Sequence, residues 1–116
     1  MHKFKDAIIL LIGKCPMLRS VYKEDEDYYK DLQYIFFESE FVKYIMNVAN
    51  QRNKKELQYI FTFIEDMLVN GDEETQTMIK VAVIESLFCE KDEIIKEELK
   101  KYFGNLTMKS YEKSFE

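Results

Sequence analysis

The sequence predicts an all-α protein, a single domain over residues 1–116 that forms a bundle of about five to six helices. Apolar residues recur at helical spacing along most of the chain. Only three glycines and one proline interrupt this pattern, and 47% of the residues are hydrophobic, which is enough for one core. Because the connections are short, neighbouring helices should be antiparallel, as in hairpins of the HEAT type.

The N-terminal region predicts one helix, a short helical turn and an acidic loop. The helix covers residues 3–12 and is ended by Gly13 and Pro16. The turn covers residues 17–22, and residues 24–27 form a loop or a frayed helix start, since four adjacent acids repel each other. The predicted buried face of the first helix consists of Phe4, Ala7, Ile8 and Leu11.

Residues 30–50 have helical periodicity with one conflict. Their apolar stripe runs through Tyr34, Phe37, Phe41, Ile45, Val48 and Ala49. In a continuous α-helix, Glu38 would fall at the centre of that stripe. Either the helix breaks near Ser39, which is the interpretation that we favour, or Glu38 is a partly buried acid.

Two cap signals organise the middle of the chain. Asn53 and Glu56 have the spacing of a capping box before a helix that runs from residue 54 to residue 69. Gly71 is expected to end that helix in the left-handed conformation, and Asp72 is expected to cap the next one. The predicted buried stripe between these caps consists of Leu57, Ile60, Phe61, Ile64, Met67 and Leu68.

The helix that follows Asp72 reaches about Cys89 and is apolar nearly all round, which predicts a central position. Glu85 falls inside its apolar arc. It is therefore either a structurally paired acid or a residue at the mouth of a cleft that faces a partner. A fifth helix over residues 93–103 and a tail with one or two further turns, packing Met108, Tyr111 and Phe115, complete the prediction.

The net charge of −5 is segregated along the sequence. Residues 24–42 and residues 56–79 carry −6 each, and residues 43–55 between them carry +4. A nucleic-acid ligand would require clustered cations, so we expect no direct binding of nucleic acid. The two acidic segments are either solvated faces or a surface that meets a basic partner protein.

The candidate partner-binding residues are acids of both segments and two tyrosines beside the first. Tyrosine is enriched at interfaces because it adds rigid apolar area with a polar tip. The acids of residues 72–74 also have a structural explanation, since a helix start favours negative charge. The candidates are Glu24, Asp25, Glu26, Asp27, Tyr28, Tyr29, Glu38, Glu40, Glu65, Asp66, Asp72, Glu73 and Glu74.

Little in the sequence points to chemistry. The single histidine, His2, lies at the terminus, and Cys15 and Cys89 have neither a CxxC partner nor a histidine to activate them. We therefore expect no enzyme, no cofactor and no metal site, and we interpret both cysteines as small core residues in a reducing compartment. The apolar run over residues 7–12 is too short for a signal peptide or a membrane span, so we expect a cytoplasmic protein.

Four stretches resemble one known family. They are residues 41–45 (Phe-Val-Lys-Tyr-Ile), 59–68 (Tyr-Ile-Phe-Thr-Phe-Ile-Glu-Asp-Met-Leu), 70–76 (Asn-Gly-Asp-Glu-Glu-Thr-Gln) and 83–87 (Val-Ile-Glu-Ser-Leu). The resemblance is to small helical bacterial proteins of unknown function that recur beside polymorphic and contact-dependent toxin systems and look like immunity proteins. Both helical glutamates, at 65 and 85, match positions of that family.

The resemblance implies an immunity protein that binds a cognate toxin domain, typically a basic nuclease, and occludes it without chemistry of its own. Such an inhibitor would act in the cytosol. Two alternatives remain open at this point. One is a HEAT-like helical adaptor that binds a peptide or helix, and the other is a phage-type inhibitor that mimics nucleic acid with a regular array of acids.

Overall fold

Eight helices form the described part of the chain, residues 1–114, in a computed structural model of the protein. No strand occurs in these residues, and one isolated bridge joins His2 to Gly71. A 3₁₀ turn, Phe4–Asp6, precedes the first helix. The helices are α1 (Ala7–Lys14), α2 (Met17–Glu24), α3 (Glu26–Tyr29), α4 (residues 33–50), α5 (Lys54–Asn70), α6 (residues 73–88), α7 (Glu93–Lys100) and α8 (Asn105–Lys113).

The all-α prediction is confirmed, and the predicted number of five to six helices is slightly low. The additional helices are short. The segment expected as a loop or a frayed helix start contains the beginning of α3, where Glu26 and Asp27 lie in the first turn and favour the helix start. The tail forms the two-turn helix α8, and Phe115, which was expected to pack there, lies outside the described residues.

Helix α4 is continuous, so the predicted break near Ser39 is wrong. Residues Phe36–Phe41 form a π-helical segment, which takes more residues per turn than the α-helix and shifts the phase of the residues that follow. As a result Phe37 and Phe41 are both buried, while Glu38 is exposed. The alternative prediction of a partly buried Glu38 is therefore also wrong.

Helix α6 also contains a π-helical segment, directly before Glu85. Residues Ile79–Ile84 are π-helical, Ala82 and Val83 are fully buried, and Glu85 is exposed rather than inside the apolar arc. The π segments of α4 and α6 pack against each other. The π-helical segments therefore lie where α4 and α6 contact each other. Buried side chains of both helices fill the core there.

Helix α5 packs against α4, α6 and α8, and every residue of its predicted buried stripe is buried. The cap predictions are confirmed in part. Asn53 accepts a hydrogen bond from the backbone N–H of Glu56, and Asp72 accepts one from Thr75. The second half of the capping box does not form, because the backbone N–H of Asn53 donates to Val48 instead.

Gly71 is not a left-handed cap, since its φ of −75° lies in the extended region. Glycine is required here because of its small size, since a Cβ would collide with Thr75 and with the carbonyl of Met67. None of the helices in residues 1–114 has the length and apolar character that a membrane span requires.

The left-handed residue is Arg52, with φ of 56°. It follows α4, where the backbone N–H of Asn53 reaches back to Val48 as in a Schellman motif. We expect Arg52→Gly to raise the free energy of unfolding by about 0.5–1 kcal/mol, because glycine adopts this conformation without steric strain. Urea denaturation checks this. The neighbouring Gln51→Gly, at a helical φ of −79°, should lower stability instead, and equal effects of the two changes would contradict the explanation.

Candidate partner-binding surface

The first acidic segment forms an exposed surface at the junction of α2 and α3. Glu24, Asp25, Glu26 and Asp27 are all exposed, and the Tyr28 side chain is 57% exposed. Within the described residues, Glu24, Asp25 and Asp27 have no side-chain hydrogen bond or ion pair, and Glu26 has an exposed pair with Lys23 at 3.3 Å. We call these five residues, Glu24 to Tyr28, the acidic surface.

The acidic surface rests on a buried aromatic anchor. Tyr29 is only 9% exposed, so it supports the surface instead of facing a partner as predicted. Its ring makes edge contacts with Phe36 at 4.9 Å and with Tyr28 at 5.1 Å between centroids. Its hydroxyl donates to Glu40 Oε1 at 3.1 Å, and burial together with this bond raises the pKa of Tyr29. The anchor therefore fixes α3 to α4.

The two acids of α4 have different surroundings. Glu40 is half-buried and is tied to Tyr29, whereas Glu38 is exposed on the π-helical segment. Asp31, which was not among the predicted site residues, is also exposed and lies two residues before α4 begins. In the sequence, Asp31 contributes to the charge of −6 over residues 24–42, but no pattern distinguishes it from the other acids.

Glu65 in the second acidic segment has a structural role. Its carboxylate accepts hydrogen bonds from the backbone N–H groups of Leu106 and Thr107 and from the Thr107 hydroxyl, all at 2.9 Å. It thereby caps α8, although it lies 42 residues away from Thr107. Gly104 allows this approach, since a Cβ there would collide with the Glu65 side chain.

Asp66 and Asp72 hold the N-terminal segment. Asp66 accepts hydrogen bonds from His2 Nε2 at 2.7 Å and from Asn70 at 2.6 Å. Asp72 caps α6 and also accepts from the backbone N–H of Phe4 at 3.1 Å. Hydrogen bonds from Thr75 and from Phe4 lower the pKa of Asp72. Both acids therefore have partners within the fold.

The remaining acids of the second segment follow the same pattern. Glu56 accepts a hydrogen bond from the Tyr44 hydroxyl, whose pKa is raised by burial and by that bond. Glu73 and Glu74 are exposed in the first turn of α6, where the helix dipole favours negative charge. The structure thus gives four of the six carboxylates of residues 56–79 a partner within the fold.

The cysteines differ from each other. Cys15 is buried, and burial followed by the charge of Glu56 raises its pKa to about 12, so it is a protonated core thiol at neutral pH. Cys89 is exposed, which corrects the prediction of two core cysteines. In residues 1–114 no group of three or more His, Cys, Asp or Glu side chains is arranged to hold a metal ion.

The Asp66 contacts predict a pH dependence of stability. Burial raises the pKa of Asp66, but hydrogen bonds from Asn70 and His2 and the charges of His2 and Lys14 outweigh it, so the net pKa lies below the ordinary 3.8. The stabilisation is therefore complete above that value and is lost as pH falls through the lower folded-state pKa. We expect Asp66→Asn to flatten the decline in unfolding free energy between pH 5 and pH 2.

The size of this effect is limited to about 1 kcal/mol, since the Asp66 side chain is 38% exposed and is screened by solvent. Urea denaturation at several pH values measures it. His2→Ala should remove part of the same pH dependence, because it removes one of the two hydrogen-bond donors. Parallel curves for the parent protein and Asp66→Asn would contradict this assignment.

Comparison with known proteins gives one match. No curated protein and no solved structure matches the chain. A family described as a domain of unknown function, DUF7674, matches residues 8–116. The match includes helices α2 to α8 and all of α1 except its first residue, Ala7. Nothing in that description connects the family with immunity proteins of toxin systems. On the extent of this match, the chain belongs to the DUF7674 family.

Proposed function

We propose that this protein binds a basic partner protein through the acidic surface, and that it is a non-catalytic immunity protein that occludes a cognate bacterial toxin domain. A nuclease domain suits the proposal best, because nucleases carry basic surfaces for nucleic acid. The inhibition would be steric and electrostatic. It would require no cofactor and no chemistry from the inhibitor.

The observation that carries the proposal is the contrast between the two acidic segments. Four of the carboxylates of residues 56–79 have hydrogen bonds within the fold. Glu24, Asp25 and Asp27 have none in the described part of the chain, and Lys23, the cation next to them, pairs with Glu26. A basic partner would offset that repulsion and would be steered to this surface.

The aromatic anchor supports the same proposal. Tyrosine is one of the residue types enriched in interface hot spots. Tyr28 is held in place by its edge contact with the buried Tyr29, so little conformational freedom is lost on binding. The second segment offers no regular array of free acids, which weakens the alternative of a nucleic-acid mimic.

Coexpression with any toxin domain that is encoded beside this gene tests the proposal. We expect growth rescue and co-purification of the two proteins in a stoichiometric complex. Tyr28→Ala should weaken both, while Tyr59→Ala, an exposed tyrosine on α5, serves as the matched control. Failure to rescue growth from that toxin would overturn the immunity function. A stable complex with a basic partner that is not toxic would favour the helical adaptor.

A further inference from the structure

A cleft in this acidic protein carries three lysines. It lies between α6, which contributes Lys80, and α8, which contributes Lys109 and Lys113, and its volume is about 190 Å³. All three lysines are exposed, and none has an ion pair or a side-chain hydrogen bond within residues 1–114. The lysines of α7 and its C-terminal end differ, since Lys96, Lys100 and Lys101 each pair with a glutamate one turn earlier.

The like charges at this cleft are unfavourable on their own. Lys109 and Lys113 lie four residues apart on one face of α8, a spacing at which like charges destabilise a helix by about 0.2–0.5 kcal/mol. Lys80 adds a third positive charge from the opposite wall. A bound anion would remove this repulsion. Within residues 1–114 none of the three lysines is paired with an acid, although Glu112 lies between Lys109 and Lys113 on α8.

The rest of the lining defines the ligand. Leu68, which is buried, and Leu106 supply apolar surface, and the Ser110 hydroxyl is a further donor. Ammonium groups are compact point charges that suit phosphate, and no arginine is present for bidentate carboxylate recognition. The cleft is smaller than the roughly 300–1,000 Å³ of sites for drug-sized ligands, so the ligand must be small.

We propose that this cleft binds a small phosphate monoester with a short apolar group. The dianionic head lies among Lys80, Lys109 and Lys113, and the apolar group lies against Leu68 and Leu106. The site is distinct from the acidic surface, so it neither requires nor excludes the proposed partner. Its position depends on Glu65, whose carboxylate caps α8 and so sets the place of both lysines on that helix.

Titration of the ¹⁵N-labelled full chain with butyl phosphate tests the site by NMR. We expect saturable shifts of backbone amides confined to residues 76–80 and 106–113. Inorganic phosphate, which lacks the apolar group, and butanoate, which carries one charge, should each bind more weakly. Lys80→Gln/Lys109→Gln should lower the affinity for butyl phosphate at least tenfold, and the control Lys54→Gln/Lys55→Gln, which removes two exposed lysines of α5, should not.

Three results would overturn the proposal. They are shifts distributed over lysines throughout the protein, an equal loss of affinity in the control variant, and equal binding of 1-butanol. Leu106→Glu, which places a negative charge at the cleft, provides a second variant should the lysine pair fold poorly. Retained affinity in that variant would also overturn the site.

Discussion

Glu65→Ala is expected to lower the free energy of unfolding by about 2–3 kcal/mol. The change removes a carboxylate that accepts three hydrogen bonds at the start of α8, and it leaves the backbone N–H groups of Leu106 and Thr107 without that acceptor. Because α8 packs against α5 and α6, loss of its cap also weakens core contacts of the C-terminal region. Urea denaturation followed by circular dichroism measures the change.

Two further variants separate capping from a general effect of surface change. Glu65→Gln retains one acceptor oxygen and should lose about half as much stability. Gly104→Ala retains the Glu65 carboxylate, but the added Cβ would force it away from α8, so this change should also destabilise the protein. A Glu65→Ala variant as stable as the parent protein would show that α8 does not depend on this contact.

Phe41→Ala is expected to lower the free energy of unfolding by about 4 kcal/mol, the largest effect that we predict for one substitution. Phe41 is fully buried at the π-helical segment of α4 and makes edge contacts with Phe37 and Phe63. Removal of its ring leaves a cavity in the core beside Phe37 and Phe63. Thermal and urea denaturation give the magnitude.

Glu38→Ala is the matched control for Phe41→Ala and tests which face of α4 is buried. A regular α-helix would place Glu38 on the same face as Phe41, whereas the structure exposes it. We therefore expect the change to alter the unfolding free energy by no more than about 0.5 kcal/mol. A large effect of either sign would mean that Glu38 is buried, which contradicts the observed phase of α4.

The sequence predicted the fold class and most helix positions because those depend on local patterns. The buried stripe of α5 and the caps Asn53 and Asp72 follow from residues within one or two turns. Glu38 and Glu85 were misplaced for one shared reason. Both were positioned with about 3.6 residues per turn, and each lies in or directly after a π-helical segment that tertiary packing stabilises.

The candidate site was predicted less well, because a charge pattern does not reveal which acids have partners. The donors for Glu65 lie on α8, and the donor histidine for Asp66 lies 64 residues away. Nothing near either acid in the sequence indicates these contacts. The acids of residues 24–27 could be placed from sequence alone, since four adjacent carboxylates resist burial wherever the chain puts them.

The cleft between α6 and α8 was not predicted either. Lys109 and Lys113 share a helix face in the sequence, but Lys80 joins them only when α6 and α8 pack together. Unlike the acidic surface, this site has no continuous signal along the chain. It emerges from the packing of α6 against α8, and none of the three lysines forms an ion pair within residues 1–114.

We expect the acidic surface, not the second acidic segment, to contact the basic partner. The test is the affinity of that partner for two variants with equal charge loss, Glu24→Gln/Asp27→Asn and Glu73→Gln/Glu74→Gln. All four side chains are exposed, so both variants should fold. We predict at least a tenfold loss of affinity for the first variant and less than a twofold loss for the second. Equal losses, or a larger loss for Glu73→Gln/Glu74→Gln, would contradict the claim.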